Sequence, residues 1–322
     1  MSFLTLDAEG LSGASASELA FLRTPSPSRW RRALAGAGAT VIGSTAVIVW
    51  ALWPAMAVRT AHVPPFALLA VAYGSAFVFL VGLRCARRQT AFGMFRASWR
   101  IHLITLLGIL ISNVLYLFAL RTVPAANANI VSYTWPLMIV VGGALLRWVE
   151  PNGRQWFGLL IGFGGAMVVI GPAWHGDIAI SGYLLALGSG LAWAVYSLAR
   201  MRLVGGPPDV FAAACAFAVP CCVGLHLLLE PAADPTWREY LIAALIGGGP
   251  VGGANVLWDY GITRGDAKAL AVFAYATPVF ASFFLILTGD AVLTFPMVVG
   301  AGMVVVGALL GRHATTKQKE VG

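Results

Sequence analysis

Ten long apolar stretches constrain this chain more than any other feature of its sequence. They cover residues 34–58, 66–83, 101–120, 125–146, 156–171, 182–199, 210–229, 241–262, 269–288 and 292–311. A transmembrane helix needs about 20 apolar residues, and a helix satisfies all of its own backbone polar groups inside lipid. Charged residues make up only 11% of the chain, whereas soluble domains carry about 25%. The sequence therefore predicts an all-α polytopic membrane protein with ten transmembrane helices.

The basic residues indicate the orientation of these helices. The net charge is +8, and 18 of the 21 Lys and Arg residues fall on one side of the membrane if the N-terminus is cytoplasmic. Arg59, Arg121 and Arg238 are left for the opposite side. The positive-inside rule then predicts that both termini are cytoplasmic. Because the basic residues serve topology and contact lipid head groups, we predict the bilayer as a partner and no nucleic-acid partner.

The chain also contains an internal repeat. A shift of 142 residues places N-V-L-Y (113–116) on N-V-L-W (255–258) and Y-T-W-P (133–136) on Y-A-T-P (275–278). A shift of 143 residues places W-A-L-W (50–53) on W-A-V-Y (193–196). Each half holds five apolar stretches, and because five is odd the second half must enter the membrane from the other side. Two inverted five-helix repeats around a central cavity are typical of secondary transporters.

These observations divide the chain into five parts. They are a mobile cytoplasmic tail (1–33), a first repeat (34–172), an external loop (173–181), a second repeat (182–312) and a second cytoplasmic tail (313–322). Spans 5 and 10 share only small residues under the repeat shift, so we predict that they are closely packed scaffold helices. Gly-rich faces serve internal packing and weak dimers equally well, so both a monomer and a weak dimer remain open.

A set of mid-span residues on span 4 marks a candidate site. Four of them follow the spacing i, i+3, i+4, i+7 and share one helix face: Asn129, Ser132, Tyr133 and Pro136. The second repeat keeps only Tyr275 and Pro278 of this set. We predict that Pro136 and Pro278 act as hinges. Each proline frees the carbonyl four residues earlier, and we expect cavity water, substrate or a neighbouring hydroxyl to pair with it.

Amides and aromatic rings complete the candidate site. The predicted substrate-binding residues are Asn129, Ser132, Tyr133, Trp135, Asn113, Tyr116, Trp50, Trp193, Asn255, Trp258 and Tyr275. Aromatic side chains at this depth are suited to line a cavity that accepts a ring or an apolar side chain. For the duplicated Asn113 and Asn255, hydrogen bonding between helices is an equally good interpretation.

Charged groups are nearly absent from the spans. Asp259 is the acidic residue that lies clearly within an apolar stretch. It is either a proton or cation coupling site or gate, or an interfacial carboxylate paired with Arg264. No Lys or Arg lies mid-span, so we predict a neutral or zwitterionic substrate. The four cysteines form no framework, and we predict no metal, no cofactor and no catalytic residue.

Two motifs carry a family resemblance. The run A-L-R-T-V-P-A-A-N-A-N-I-V-S-Y-T-W-P-L (119–137) and E-P-x-x-x-Q-x-x-G (150–158) resemble the drug/metabolite transporter superfamily in its EamA-type branch. The S-Y-T-W-P-L form is similar to aromatic amino-acid exporters of that branch, and the resemblance covers the chain after its N-terminal tail. It implies a bacterial inner-membrane exporter of amino acids and related metabolites, with a cavity lined by spans 1, 3, 4, 6, 8 and 9. Tyr133, Trp135 and Pro136 would then belong to the cavity region, although Thr277 replaces Trp135 in the second half.

These observations together predict a secondary transporter that exports aromatic and other bulky or neutral amino acids by alternating access. An exporter of another neutral metabolite, such as a nucleobase or a sugar, is the first alternative. A membrane-embedded enzyme would need a catalytic cluster such as H-E-x-x-H, and a channel would favour charged rings; the sequence has neither pattern. It also lacks a Walker-type phosphate loop, so we predict that the chain itself hydrolyses no nucleotide. Because no catalytic cluster occurs, we do not expect the chain to be an enzyme.

Overall fold

The computed structural model describes residues 29–147, 152–170, 180–202, 210–264, 270 and 273–311. Every regular element in these ranges is helical. The first half contains α1 (Arg29–Ala51), α2 (Trp53–Val58), α3 (Pro65–Ala86), a 3-10 segment (Ala91–Arg96), α4 (Trp99–Thr122), α5 (Ala125–Ser132), α6 (Trp135–Leu145) and α7 (Gly153–Ile170). The second contains α8 (Ile180–Arg202), α9 (Val210–Leu229), α10 (Trp237–Ile246), a π segment (Gly247–Gly253), α11 (Ala254–Arg264), α12 (Thr277–Leu287) and α13 (Phe295–Gly311).

Seven helical stretches within the described ranges are long and apolar enough to cross a membrane. They are Ala37–Val58, Pro65–Ala86, Trp99–Thr122, Ala125–Leu145, Ile180–Ala199, Val210–Leu229 and Trp237–Trp258. Three shorter apolar helices, Trp156–Val168, Thr277–Leu287 and Phe295–Gly307, fall on the remaining predicted spans. The predicted all-α membrane fold is confirmed, and the count of ten transmembrane helices stays a prediction. Most of the predicted N-terminal tail and external loop, and the whole C-terminal tail, lie outside the described residues.

Prolines determine where several spans break. Span 1 is interrupted at Leu52, and Pro54 occupies the first turn of α2. Span 4 is interrupted after α5, and α6 then begins with a proline in its first turn, as α12 does in span 9. A proline is tolerated at these positions because the first turn of a helix does not need its N–H groups for internal bonds. The breaks in spans 1 and 4 divide each of these spans into two helical pieces.

The packing of the helices repeats when the two halves are exchanged. α7 packs against α13, and α3 packs against α9, so each helix meets its own repeat counterpart. α1 packs against α11, and their repeat counterparts α8 and α4 pack against each other. Likewise α6 packs against α8, and their counterparts α12 and α1 are in contact. This two-fold pseudo-symmetry is the tertiary counterpart of the sequence repeat.

Glycines bring α7 and α13 into close contact. A Cβ atom on Gly165 would lie 2.7 Å from the carbonyl oxygen of Gly300, and a Cβ atom on Gly307 would meet the carbonyl oxygen of Gly158. Gly165 and Gly307 are repeat partners, as are Gly158 and Gly300, so both halves make the same contact. Such close approach of two backbones requires small residues. The geometry agrees with the predicted scaffold role of spans 5 and 10.

Two polar contacts join the ends of helices. Glu230 follows α9 and accepts hydrogen bonds from the backbone N–H groups of Phe66 (2.8 Å) and Ala67 (3.2 Å) in the first turn of α3. A carboxylate at this position satisfies donors that have no partner within the helix. Arg59 Nη2 lies 3.2 Å from Asp290 Oδ2, so an ion pair joins the first half to the second.

Candidate functional site

A cavity of about 160 Å³ is lined by residues of both halves. The lining comes from spans 1, 3, 4, 6, 8 and 9, the set that the family resemblance implies, and it carries no formally charged side chain among the described residues. The lining residues are Trp50, Trp53, Ser112, Asn113, Tyr116, Asn129, Ser132, Tyr133, Trp135, Ser189, Trp193, Asn255, Trp258, Ala274 and Thr277. This volume is small compared with pockets for drug-sized ligands, which occupy about 300–1,000 Å³. The cavity therefore suits one small metabolite.

The structure brings ten of the eleven predicted substrate contacts to this cavity. Tyr275 is the exception: it does not line the cavity and packs instead against Leu137 of α6 and Leu159 of α7. Its repeat partner Tyr133 does line the cavity. The two tyrosines therefore have different surroundings, although they occupy equivalent positions of the repeat. Substrate binding by the other ten residues stays a prediction.

The two predicted hinge prolines occupy equivalent places in the fold. Pro136 and Pro278 each lie in the first turn of the helix that follows a break, and Pro278 is buried. Asp259 belongs to α11. The side chains of Pro136 and Asp259 lie outside the described part of the structure, so the predicted hinge and coupling roles remain open.

The carbonyls freed by the two prolines have different surroundings. The hydroxyl of Thr277 donates to the carbonyl of Ala274 at 2.6 Å, so the expectation of a neighbouring hydroxyl is confirmed at this break. At the other break Trp135 replaces the threonine. There the carbonyl oxygen of Ser132 faces Gly190 of α8, and a Cβ atom at that glycine would lie only 2.6 Å away. A Cα–H···O contact is the weak interaction that this geometry allows.

Three serines form a hydroxyl cluster on one wall of the cavity. The Oγ atom of Ser112 donates to the carbonyl oxygen of Ser189 at 3.1 Å. The Oγ atom of Ser189 lies 3.3 Å from that of Ser112 and 3.4 Å from that of Ser132. Ser189 was not among the predicted contacts. The available signal was a hydroxyl between Gly188 and Gly190 on span 6, because small neighbours let other helices approach it.

The duplicated asparagines use their amide N–H groups within the protein. Asn113 Nδ2 donates to the hydroxyl of Tyr73 at 2.8 Å, which joins α4 to α3. Asn255 Nδ2 donates to the carbonyl of Val251 at 2.7 Å, within the π segment. The Asn113 bond supports the interpretation of hydrogen bonding between helices, whereas the Asn255 bond is local to its own span. Both side chains nevertheless reach the cavity wall.

Aromatic rings form the apolar part of the wall. The ring centroids of Trp50 and Trp258 lie 5.4 Å apart, so this pair bridges the two halves. Trp53 meets Tyr116 edge-on, with centroids 5.9 Å apart. Trp53 ends the repeated W-A-L-W motif of span 1 but is not among the predicted contacts. Its position beside Tyr116 follows from the break at Leu52, which the sequence alone does not locate.

Comparison with known proteins supports a membrane-transport role. The chain matches the EamA-like transporter family over residues 37–171 and again over 180–311, once for each half. A relative from Ancylobacter novellus, named aromatic amino acid exporter YddG, is 32% identical over 84% of this chain and 95% of its own length. A relative of the same name from Salmonella typhimurium is 28% identical over 87% of this chain and 98% of its own length.

The fold is also similar to a solved structure. A protein crystal structure with 30% sequence identity superposes with a TM-score of 0.69, and the match covers 86% of this chain and 97% of that one. The match therefore includes residues of both halves.

Proposed function

The chain belongs to the EamA-like transporter family, and from that premise we propose that it exports amino acids and related metabolites. The proposed substrates are aromatic and other bulky or neutral amino acids, carried outward across the bacterial inner membrane. Both termini are then cytoplasmic, as the distribution of basic residues predicts. Multi-pass insertion and a small-molecule substrate follow from the family itself. Relatives named aromatic amino acid exporters support the narrower substrate class.

The observation that carries this proposal is the composition of the cavity wall. Aromatic rings such as Trp50 and Trp258 provide an apolar surface for a substrate ring, and amides and hydroxyls provide hydrogen bonds. The described lining contains no charged side chain, which suits a zwitterion better than a substrate of large net charge. Residues of both halves contribute, as expected for a site between inverted repeats.

Alternating access is the proposed mechanism. Because the helix contacts repeat when the halves are exchanged, a movement of one half against the other has an equivalent movement on the opposite side. The breaks before Pro136 and Pro278 provide points where spans 4 and 9 can bend. The site then faces one side of the membrane at a time.

A counterflow assay tests the proposed function. Purified protein in liposomes loaded with unlabelled phenylalanine is expected to take up labelled phenylalanine. Trp193→Ala removes a ring from the cavity wall and should lower the exchange rate about ten-fold or more. Trp99→Ala is the matched control, because Trp99 is 68% exposed and lies away from the cavity. Exchange of a nucleobase, with none of the twenty amino acids exchanged, would establish the alternative substrate class.

The driving force is tested at Asp259. Asp259→Asn removes the charge within α11 and keeps a similar side-chain volume. Loss of the pH dependence of transport would assign proton coupling to this carboxylate. Transport with an unchanged pH profile would make Asp259 a structural residue at the end of its span.

A further inference from the structure

Two buried hydrogen-bond donors of residues that line the cavity have no partner. Within the described part of the chain, five buried side-chain nitrogen or oxygen atoms lack a hydrogen bond. Two of the five belong to residues that line the cavity: the indole Nε1 of Trp53 and the amide Nδ2 of Asn129. Asn129 is only 2% exposed. A buried donor without a partner is costly, so native structures usually keep one only where a ligand, a water or a functional state satisfies it.

Tyr116 joins these two residues into one cluster. Its hydroxyl donates to Asn129 Oδ1 at 2.7 Å, and its ring meets the ring of Trp53 edge-on. Neither orientation of the Asn129 amide gives both of its polar atoms a partner. If the amide were turned over, the Tyr116 hydroxyl would pair with the nitrogen, and the oxygen would lack a partner instead. In the orientation of the structure the Tyr116 hydroxyl is the donor, and the Asn129 amide N–H is left without a partner, as is the Trp53 indole N–H.

Several other polar groups of the wall are paired within the protein. The hydroxyls of Ser112, Ser132 and Ser189 interact with one another. The amide nitrogens of Asn113 and Asn255 donate to a tyrosine hydroxyl and to a backbone carbonyl, respectively. Among the described residues of the wall, the Trp53–Tyr116–Asn129 cluster therefore stands out because its two donors are both buried and without a partner.

We infer that the Trp53–Tyr116–Asn129 cluster is the subsite that binds the carboxylate of the transported amino acid, with the N–H groups of Trp53 and Asn129 as its donors. This inference rests on the proposed function. Donors attract the oxygen atoms of a carboxylate and disfavour an ammonium group, which needs acceptors. The two donors belong to separate helices, α2 and α5, and a carboxylate has two oxygen atoms that can accept from them. A hydrogen bond to an ionised acceptor is stronger than one between neutral groups.

The cluster occurs in the first half alone, and this asymmetry determines how the substrate is oriented in the cavity. Under the repeat shift, Tyr196 stands in place of Trp53, Trp258 in place of Tyr116, and alanine in place of Asn129. The equivalent region of the second half therefore supplies the Trp258 ring that packs on Trp50. The carboxylate binds beside the first half, and the substrate side chain lies toward the aromatic pair.

The test compares two inhibitors that each keep one end of phenylalanine. In the counterflow assay with the unsubstituted protein, 3-phenylpropionate keeps the carboxylate and phenethylamine keeps the ammonium. We expect 3-phenylpropionate to inhibit at a concentration at least about ten-fold lower than phenethylamine, because it alone accepts from both donors. Equal inhibition by the two compounds would overturn the inference, whatever the variants show.

A matched pair of variants tests the donor itself. Trp53→Phe keeps an aromatic ring and removes the indole N–H, and should raise the half-saturating phenylalanine concentration about ten-fold to one-hundred-fold. It should leave the weak inhibition by phenethylamine unchanged. Trp237→Phe makes the same chemical change at a residue that is 70% exposed, and should not alter transport. A Trp53→Phe protein with unchanged half-saturation would refute the assignment.

A binding measurement separates this inference from the proposed function. If the unsubstituted protein exchanges none of the twenty amino acids, the proposed function fails. Stabilisation against heat by 3-phenylpropionate, lost in Trp53→Phe, would still establish a carboxylate subsite at the cluster. Absence of that stabilisation as well would overturn both.

Discussion

The substitution Gly307→Ala tests how closely α7 and α13 must pack. A Cβ atom at this position would lie 2.7 Å from the Cα atom of Gly162 and would also meet the Gly158 carbonyl oxygen. Ordinary van der Waals contact begins at 3.4 Å, so the two helices must separate by at least about 0.7 Å. Both neighbouring atoms belong to the backbone and cannot turn away as a flexible side chain would. The variant therefore has to shift a whole helix.

The expected decrease in the free energy of unfolding is the balance of two effects. Overpacking costs about 1–3 kcal/mol, and contact with backbone on the facing helix favours the upper end of that range. Alanine gains about 1 kcal/mol over glycine in a helix interior. The net destabilisation is therefore about 2 kcal/mol. For a chain of this size, we take about 2 °C per kcal/mol, so the melting temperature should fall by about 4 °C.

Thermal unfolding of the purified protein in detergent measures this effect. Gly302→Ala on the same helix is the matched control, because nothing lies within 4 Å of its Cβ position. It should gain up to about 1 kcal/mol from helix propensity alone. The two alanine variants are thus expected to differ by about 3 kcal/mol. Equal melting temperatures would show that the α7–α13 contact does not restrict residue size.

Three further predictions concern other contacts. Gly190→Ala would press on the Ser132 carbonyl at the span 4 break and should slow exchange in liposomes, whereas Gly224→Ala, with open space around it, should not. Glu230→Gln weakens the hydrogen bonds at the start of α3 and should cost about 2 kcal/mol, measured as a lower melting temperature; an unchanged value would contradict the role of the carboxylate. Arg59→Gln breaks a half-exposed ion pair and should cost less than about 1 kcal/mol, so a larger loss would reveal a stronger link between the halves.

Membrane insertion, the repeat and the family could all be predicted from the sequence. These properties depend on residue order alone. The apolar stretches are long enough to span lipid, and motifs that repeat at a spacing of 142 residues can be found without any knowledge of contacts. The helix face of Asn129 and Ser132 was also predictable, because helical periodicity places residues three or four apart on one side.

The tertiary structure alone decided which residues at equivalent positions of the repeat have different surroundings. Tyr133 and Tyr275 occupy the same place in the repeat, yet one lines the cavity and the other packs against Leu137 and Leu159. The sequence did not predict the Ser189 hydroxyl on the wall or the unpaired N–H groups of Trp53 and Asn129. The physical reason is that periodicity defines the faces of a helix but not its rotation against its neighbours. That rotation is set by breaks at prolines and by close glycine contacts between distant parts of the chain.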